Sequence, residues 1–369
     1  MASAHVPSGA GGATGGAAKG TTGSPVGGTT GGTAAAQQTL GSMGEFAVID
    51  AMTATMPTAV GVEVGPGDDA AVVHAPDGRV VVSCDMFVDG VHFRSDWAAP
   101  EQIGRRCAIA AVADICAMGA MPTALVIGLA APADTPTAHI TELGAGLAAA
   151  AAELGAGVVG GDLTSADRLT IAVTVFGDMR GARPVLRSGA RPGDVVALAG
   201  RIGWAAAGLA VLSRGFRSPV AVVGAYKVPE PPLSAGPIAA VMGATAMIDV
   251  SDGLLADVGH IAAASGVGID ISSAALVVPP RLAEVASALG KDALTWLLTG
   301  GDDHALVATF PAGSDLPAPW QQIGIVTTAP AAGAAAVTVD GAVYDGDPGY
   351  QPGRRPGPRP RGVPLGPVR

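Results

Sequence analysis

The chain has 369 residues, which is enough for two domains that each bury a hydrophobic core. Apolar residues make up 49% and charged residues 14%, with 55 glycines, a composition typical of a compact globular protein. The formal net charge of −10 argues against a nucleic-acid-binding surface, so no nucleic acid partner is expected. Lysine occurs only at Lys19, Lys227 and Lys291, so any anion chemistry must use arginine, backbone amides or metal ions.

The cysteines predict a reducing compartment. Cys84, Cys107 and Cys116 are odd in number and lack CxxC spacing, so a disulfide framework is not expected and a reducing, cytoplasmic location is favoured. No uninterrupted apolar stretch reaches the about 18 residues that a membrane span needs. The N-terminus also lacks the basic start and apolar core of a signal peptide.

The first half of the chain alternates strands and helices after a polar tail. Residues 1–41 are rich in Gly, Ala, Thr and Ser and are predicted to be a disordered tail, before a first domain over 42–182. An apolar pattern predicts a helix over 46–56. Next come predicted strands at 70–73 and 80–83, a helix at 100–118, a strand at 123–130, a helix at 137–154, and strands at 158–159 and 169–176.

The second half repeats this mixture. The turn-rich stretch 183–194 is expected to begin a second domain over 183–350, and the Pro- and Arg-rich residues 351–369 are predicted to be a second disordered tail. Predicted elements are a strand at 195–199, a helix at 203–213, a strand at 245–249, a helix at 252–265, a strand at 267–271, helices within 280–298 and a strand at 305–310. Alternation in both halves predicts two α/β or α+β domains.

Nine aspartates in short motifs are the most informative feature of the chain. The motifs are Gly67-Asp68-Asp69, Ser83-Cys84-Asp85, Asp114 within 113–115, Gly160-Gly161-Asp162, Asp249-Val250-Ser251-Asp252-Gly253 and Gly300-Gly301-Asp302-Asp303. They lie in both halves, so they cannot form one local loop, and the P-loop, Rossmann and protein-kinase motifs are absent. If the carboxylates converge, divalent metals that carry a polyphosphate would neutralise them.

Each motif also has a simpler interpretation. Gly67-Asp68 is a common turn pair, and Ser251 or Asp252 could cap a helix. The functional alternative is that the same helix start accepts phosphate oxygens. Asp114 lies in an apolar helical stretch, so a buried carboxylate with a metal or arginine partner is favoured there.

The ordered series of motifs resembles a known family. The stretches that carry the resemblance are 67–71, 83–85, 90–93, 114–120, 160–164, 187–190, 248–254 and 299–303. Together they resemble the thiamine-monophosphate kinase family, within the superfamily of aminoimidazole-ribonucleotide synthetase, over roughly residues 43–350. The resemblance implies two α/β domains, the first of which pairs across a homodimer to form a β-barrel, with ATP in the cleft.

The resemblance also implies a reaction and its residues. ATP would phosphorylate thiamine monophosphate directly to thiamine diphosphate, with several Mg²⁺ ions between aspartates and phosphates. The acceptor is already an oxyanion, so positioning and charge neutralisation suffice without a general base. Implied metal ligands are Asp69, Ser83, Cys84 (through its backbone carbonyl), Asp85, Asp114, Asp162, Asp249 and Asp252, of which Asp114, Asp162, Asp249 and Asp252 would be catalytic. Implied ATP contacts are Gly161, Asp162, Arg187 and Ser251, and implied substrate contacts are His92, Asp302 and Tyr350.

The chain departs from the family pattern in two places. Where the family has Gly-Gly-Glu-Asp-Tyr-Glu, this chain reads Gly-Gly-Asp302-Asp303-His304-Ala, and the family's Pro-x-Pro-Arg becomes 229–232 without its arginine. Alternative functions are therefore a sister enzyme of the aminoimidazole-ribonucleotide synthetase or hydrogenase-maturation type, or a non-catalytic nucleotide or metal sensor. Against the maturation type, the chain ends without a cysteine.

Overall fold

The computed structural model describes residues 38–43, 45–54, 56–57, 60–64, 71–329, 331 and 336–350. The expected tails over 1–37 and 351–369 lie outside these residues, as does Asp69. The expected end of the first tail at residue 41 needs correction. Leu40 is buried, and the Gly41 N–H donates to the Ala133 carbonyl at 2.8 Å, so residues 38–41 already belong to the packed body.

The described part of the first half contains four helices and six strands. They are α1 (Leu40–Met43), α2 (Glu45–Thr53), β1 (Val62–Val64), β2 (Val72–Val73), β3 (Val81–Val88), α3 (Pro100–Ala117), β4 (Met121–Ala131), α4 (Thr137–Glu153), β5 (Gly157–Ser165) and β6 (Thr170–Asp178). β1 and β2 form a small antiparallel pair, whereas β3, β6, β4 and β5 form a four-stranded sheet in that order. β4 and β5 run parallel, and the other two pairs are antiparallel.

The second half contains one larger sheet with helices around it. Its elements are β7 (Val195–Ala199), α5 (Trp204–Leu212), α6 (Val220–Lys227), α7 (Ala235–Val241), β8 (Ala246–Val250), α8 (Leu254–Ser265), β9 (Gly268–Ile271), α9 (Pro280–Ala288), α10 (Ala293–Thr299), β10 (Ala305–Phe310), β11 (Trp320–Thr327) and β12 (Val337–Val339). The sheet order is β12-β9-β11-β7-β10-β8, so β8, which carries Asp249, lies at one edge.

The two sheets are covered differently. Burial alternates along β3, β4 and β6, which is the pattern of a sheet with one face packed on helices and the other open. In contrast, every residue of β8 and β10 is buried. The helix α3 packs on α4 and also contacts α7 and β8, so it joins the halves. One hydrophobic cluster accordingly contains residues of both halves, such as Cys116 and Leu306.

The predicted strands and helices are mostly present, with informative differences. β3 and β5 are longer than predicted, because each pairs along its full length with a neighbour, so Asp85 and Asp162 lie within strands rather than after them. The helices α6 and α7 and the strands β11 and β12 were not predicted, since prolines and glycines interrupt their patterns. No helix among the described segments is both long and apolar enough to cross a membrane.

Candidate active site

Three aspartates from three different elements approach one another between the halves. Asp85 lies on β3, Asp114 on α3 and Asp249 on β8. Burial, followed by the charges of Asp114 and Asp249, raises the pKa of Asp85 to about 6, although His304 opposes this. Burial and the charge of Asp249 also raise the pKa of Asp114. The structure thus brings a carboxylate of the second half to two of the first.

Asp252 joins this group from the loop after β8. Burial raises its pKa, and the charges of Asp249 and Asp302 add to the effect, whereas His260 and His304 oppose it. We call Asp85, Asp114, Asp249 and Asp252 the carboxylate cluster. Its members repel one another, so the cluster has excess negative charge that a cation would stabilise.

The strand β3 presents two polar side chains to the cluster. Ser83 and Asp85 are two residues apart and therefore share a face of the strand. The Ser83 hydroxyl donates to Asp114 Oδ2 at 2.6 Å, which orients that carboxylate. Cys84 lies on the opposite, exposed face, where its Sγ accepts a hydrogen bond from the Thr174 hydroxyl at 3.3 Å. The Cys84 thiol therefore points away from the cluster.

Gly161 and Asp162 lie on the far edge of the same sheet. The strand register places Asp85 opposite Val173, Val173 opposite Ile127, and Ile127 opposite Gly161. Three inter-strand steps separate the first residue from the last, which is about 14 Å. Asp162 is exposed on β5, and the chain by itself does not bring it to the carboxylate cluster.

The loop from Gly300 to His304 is hydrogen-bonded to the last residue of β8 and to the residue after it. The Asp302 N–H donates to the Ser251 carbonyl at 2.9 Å, and the His304 N–H donates to the Val250 carbonyl at 3.0 Å. Asp302 and His304 adopt positive φ angles of 68° and 53°. A side chain at Gly301 would collide with the Ser251 carbonyl, so the close approach of the two backbones requires glycine there.

His304 reaches the cluster through its side chain. Its Nδ1 lies 3.0 Å from Asp249 Oδ2, and both side chains are almost fully buried. Burial by itself would lower the pKa of His304, but the hydrogen bond and charge of Asp249, helped by Asp302, outweigh it and the pKa is raised. His304 is thus a hydrogen-bond partner of the cluster that was not selected from the sequence.

Two further buried aspartates support the loops of the site. Asp257 accepts hydrogen bonds from the Asp252 and Gly253 amides at 3.1 and 3.0 Å. Asp303 accepts one from the Ala205 amide at 2.9 Å, in the first turn of α5. Burial is the largest cause that raises the pKa of each to about 7. Asp257 could have been found from the sequence, because it stands alone in an apolar helix as Asp114 does.

A buried arginine connects α3 to the same loop. The Arg106 guanidinium lies 2.9 Å from Asp302 Oδ2, donates to the Tyr226 carbonyl and lies 5.0 Å from the centre of the Tyr226 ring. Arg106 was also not selected, because an arginine in a helix pattern resembles an ordinary surface residue. Its ion pair means that the Asp302 carboxylate is already engaged before any substrate binds.

Tyr350 and Asp252 line a cavity of about 490 Å³ beside the cluster. The Tyr350 N–H donates to the Asp252 carbonyl at 2.9 Å, which fixes the end of the described chain at this place. The other side chains at the cavity are mainly apolar and aromatic, among them Leu255, Val337 and Tyr344. Such a lining suits an organic ring next to a charged site.

His92 and Arg187 are two further residues that the resemblance assigned to the site. The Val88 N–H donates to His92 Nδ1 at 3.0 Å, so Nε2 carries the proton of the neutral ring. The charge of Arg187 lowers the pKa of Asp114, which places its guanidinium near the cluster. None of the contacts within the described part of the chain joins His92 to Asp302 or Tyr350.

The donor set of the cluster fits Mg²⁺. All the side chains that converge offer oxygen, from carboxylates and the Ser83 hydroxyl, and magnesium prefers such ligands. Within the described residues, no three His, Cys, Asp or Glu side chains form a ready metal cage. Mg²⁺ commonly takes one or two carboxylates together with water and substrate phosphates.

Comparisons with known proteins identify the family. AIR synthase related protein, N-terminal domain, matches residues 67–179, and the C-terminal domain of the same family matches residues 191–313. A thiamine-monophosphate kinase of Mycobacterium tuberculosis is 49% identical over 314 residues, which cover 85% of this chain and 92% of that protein. A thiamine-monophosphate kinase of Corynebacterium glutamicum is 42% identical and covers 78% and 88%.

Solved structures agree with this assignment. The structure of AaThiL complexed with AMPPCP and TMP matches with a TM-score of 0.69 and 29% identity, over 86% of this chain and 100% of that one. A thiamine-monophosphate kinase from Stenotrophomonas maltophilia matches with a TM-score of 0.69 and 30% identity, over 80% and 95%. The hydrogenase-maturation protein HypE of E. coli, at 22% identity and a TM-score of 0.61 over 84% and 98%, shares the fold alone.

The expected two-domain α/β fold of the superfamily is confirmed by the domain matches and by these structures. The sister-enzyme and sensor alternatives have less support, because the relatives that cover most of the chain are thiamine-monophosphate kinases. The chain therefore belongs to the thiamine-monophosphate kinase family of AIR-synthase-related proteins.

Proposed function

We propose that this protein transfers the γ-phosphoryl group of ATP to the phosphate of thiamine monophosphate, which yields thiamine diphosphate and ADP. The observation that carries the proposal is the carboxylate cluster, in which Asp85 and Asp114 of the first half meet Asp249 of the second. Burial and the proximity of these charges raise the pKa values of Asp85 and Asp114. The identity of the two substrates is inferred from membership of the thiamine-monophosphate kinase family. The apolar cavity beside Asp252 suits the rings of the acceptor.

Mg²⁺ would be held by the cluster and would neutralise the charge that develops on the phosphate oxygens during transfer. Its proposed ligands include Asp69, which lies outside the described residues, and the Cys84 backbone carbonyl. The others are Ser83, Asp85, Asp114, Asp162, Asp249 and Asp252. The Ser83 hydroxyl fixes the orientation of Asp114 before metal binds.

The remaining proposed contacts orient the two substrates. Gly161, Asp162, Arg187 and Ser251 would contact ATP, and His92, Asp302 and Tyr350 would contact thiamine monophosphate. An oxygen of the acceptor phosphate forms the new bond to the γ-phosphorus while the bond from that phosphorus to the β-γ bridging oxygen breaks. The acceptor oxygen has no proton to lose at neutral pH, so the protein needs no general base.

We further propose that the active form is a cytoplasmic homodimer. Gly161 and Asp162 lie about 14 Å from Asp85 across the sheet, so a second copy is the simplest source of Asp162 for the cluster. β3 and β5 are the two edges of that sheet, and Val82 and Met86 are exposed on its open face. Three free cysteines support a reducing compartment.

ADP release tests the reaction. Purified protein with ATP and Mg²⁺ is assayed alone and with thiamine monophosphate, free thiamine or an aminoimidazole-ribonucleotide precursor. We expect stimulation by thiamine monophosphate alone, with one thiamine diphosphate for each ADP. Stimulation by the aminoimidazole precursor instead would move the activity to a sister enzyme, and ATP binding without turnover would make the protein a sensor.

Mixing two inactive variants tests the homodimer. If Asp162 of one copy serves the cluster of the other, Asp85→Asn and Asp162→Asn dimers are each inactive, but a hybrid dimer has one intact site. Random re-association should therefore restore about a quarter of wild-type activity. Light scattering gives the mass in parallel. A monomer, or a dimer without recovery on mixing, would contradict the shared site.

A further inference from the structure

We propose that His304 is a positioning residue for the metal site: its Nδ1–H holds Asp249 Oδ2 and would leave Oδ1 to bind the metal ion. The inference rests on the proposed metal role of Asp249. The two atoms lie at an ordinary hydrogen-bond distance of 3.0 Å, and the two side chains are only 9% and 6% exposed, so water does not compete for the hydrogen bond.

The backbone places the ring with little freedom. The His304 N–H donates to the Val250 carbonyl, one residue beyond Asp249, and the next residue, Ala305, pairs with Val250 in the sheet. His304 and Asp249 are therefore fixed to the same pair of strand ends, β10 and β8. Because the two paired strands already hold both residues in place, the hydrogen bond forms with little additional loss of conformational entropy.

The hydrogen bond makes the two carboxylate oxygens of Asp249 inequivalent. Oδ2 receives the Nδ1–H, whereas no hydrogen bond from the described residues reaches Oδ1. Because a carboxylate accepts and does not donate, the proton of the bond lies on Nδ1. The neutral ring and the imidazolium both provide this donor, so the proposed role needs no change of protonation. Partners that hydrogen-bond to metal-ligating groups typically contribute 10–100-fold in metal affinity or activity.

The role depends on where the donor lies within the side chain. Histidine offers a donor, Nδ1, next to its attachment point, at the distance that Asp249 requires. Asparagine has a donor at nearly the same place, whereas the glutamine amide corresponds to Nε2 and points past the carboxylate.

The matched pair His304→Asn and His304→Gln tests the inference on the full chain. Mn²⁺ binding in the presence of a non-hydrolysable ATP analogue is measured by electron paramagnetic resonance of free Mn²⁺. We expect His304→Gln to weaken Mn²⁺ binding by about tenfold or more, and His304→Asn to stay within about threefold of the wild type. In the kinase assay, the Mg²⁺ concentration for half activity should rise for His304→Gln while kcat at saturating Mg²⁺ largely recovers.

Two controls separate the possible failures. His304→Phe keeps the ring without the donor, so it should match His304→Gln and provides a second test if the glutamine variant does not fold. Equal affinity in all three variants and the wild type, with Asp249→Asn weakened, would overturn the role of His304 and leave the proposed function standing. Unchanged Mn²⁺ affinity in Asp249→Asn would instead overturn the proposed metal site.

Discussion

The acidic residues of the two sheets are held in different ways. On the six-stranded sheet and its loops, Asp249, Asp257 and Asp303 each accept a hydrogen bond from a residue of the same half. On the four-stranded sheet, Asp85 accepts none from the described residues, and Asp162 is exposed on an edge strand. These three aspartates of the second half are therefore organised in advance, whereas Asp85 and Asp162 of the first half are left to be met from outside.

The reason lies in how each sheet is covered. β8 and β10 are buried along their whole length, and a buried polar group that lacks a partner costs about 1–3 kcal/mol, so the fold provides one. The open face of the four-stranded sheet, opposite to Ser83 and Asp85, leaves room for water or a second copy of the chain. The three aspartates of the second half are thus held in place before the substrates bind, whereas Asp85 and Asp162 of the first half remain accessible. This arrangement suits a site that binds two phosphorylated substrates.

The largest expected effect is the loss of turnover when Asp114 or Asp249 is replaced. Asp114→Asn and Asp249→Asn should each lower kcat by about 10²–10³ or more, because charge compensation through the metal is lost. They should differ in stability. Asp114→Asn relieves repulsion in the cluster, whereas Asp249→Asn removes the negative charge opposite His304.

Turnover and thermal unfolding of both variants, measured without and with saturating Mg²⁺, check this pair. We expect the unfolding midpoint of metal-free Asp114→Asn at or above that of the wild type, and that of Asp249→Asn below it. Near-normal turnover of both at saturating Mg²⁺ would contradict the metal assignment. Equal stability losses would contradict the contrast between the two halves.

Arg106 tests the connection between the halves. Arg106→Met removes a buried guanidinium that holds Asp302 and the Tyr226 carbonyl, and should lower the free energy of unfolding by about 2–3 kcal/mol. The neighbouring Arg105 is the control, because it pairs with the exposed Glu153. Arg105→Met should cost about 1 kcal/mol or less by denaturant unfolding. Similar losses for both would show that Arg106 adds no more than a surface pair.

The pH dependence of stability tests the buried aspartates of the second half. The pKa of Asp303 is raised from 3.8 in the unfolded chain to about 7 in the folded one, mainly by burial, so the folded state holds a proton that the unfolded state has released. This contribution to stability is present at low pH and is lost as the pH rises towards 7. The loss should be on the order of 1 kcal/mol per pH unit between about pH 4 and 7.

Asp303→Asn removes the titration and keeps an oxygen for the Ala205 amide. The wild type should therefore lose stability relative to this variant between pH 5.5 and about 7, and the difference should level off above that. Unfolding in urea at a series of pH values measures it. A difference that does not change with pH would mean that Asp303 is ionised in the folded protein throughout.

The smallest effect is expected at the N-terminus. Deletion of residues 1–37 should leave activity and the unfolding midpoint nearly unchanged, because the described contacts begin at residue 38. Deletion of residues 1–43 also removes the buried Leu40 and should cost about 1–3 kcal/mol. Thermal unfolding of the two truncated chains checks this difference. Equal midpoints would show that Leu40 contributes nothing to stability.

The amino-acid sequence by itself determined most of the element order, the α/β class and the family, but not α6, α7, β11 and β12. Periodicity predicted β7 at 195–199 and β10 at 305–310 with their observed ends, since both are continuous apolar strands between turn signals. The apolar neighbours of Asp114 predicted a buried carboxylate, and the structure shows it partly buried near Asp85 and Asp249. Local patterns suffice where a residue's environment is set by its neighbours in the chain.

Only the tertiary structure decided which groups meet. His304 contacts Asp249 across 55 positions of the chain, and Arg106 donates to the Tyr226 carbonyl across 120. No local pattern contains such pairs, because strand pairing and helix packing create them. The same holds for Asp162, which has the motif of a ligand yet lies on the opposite edge of the sheet from Asp85. A motif specifies which atoms are available, and the packing of the sheets determines the distances between them.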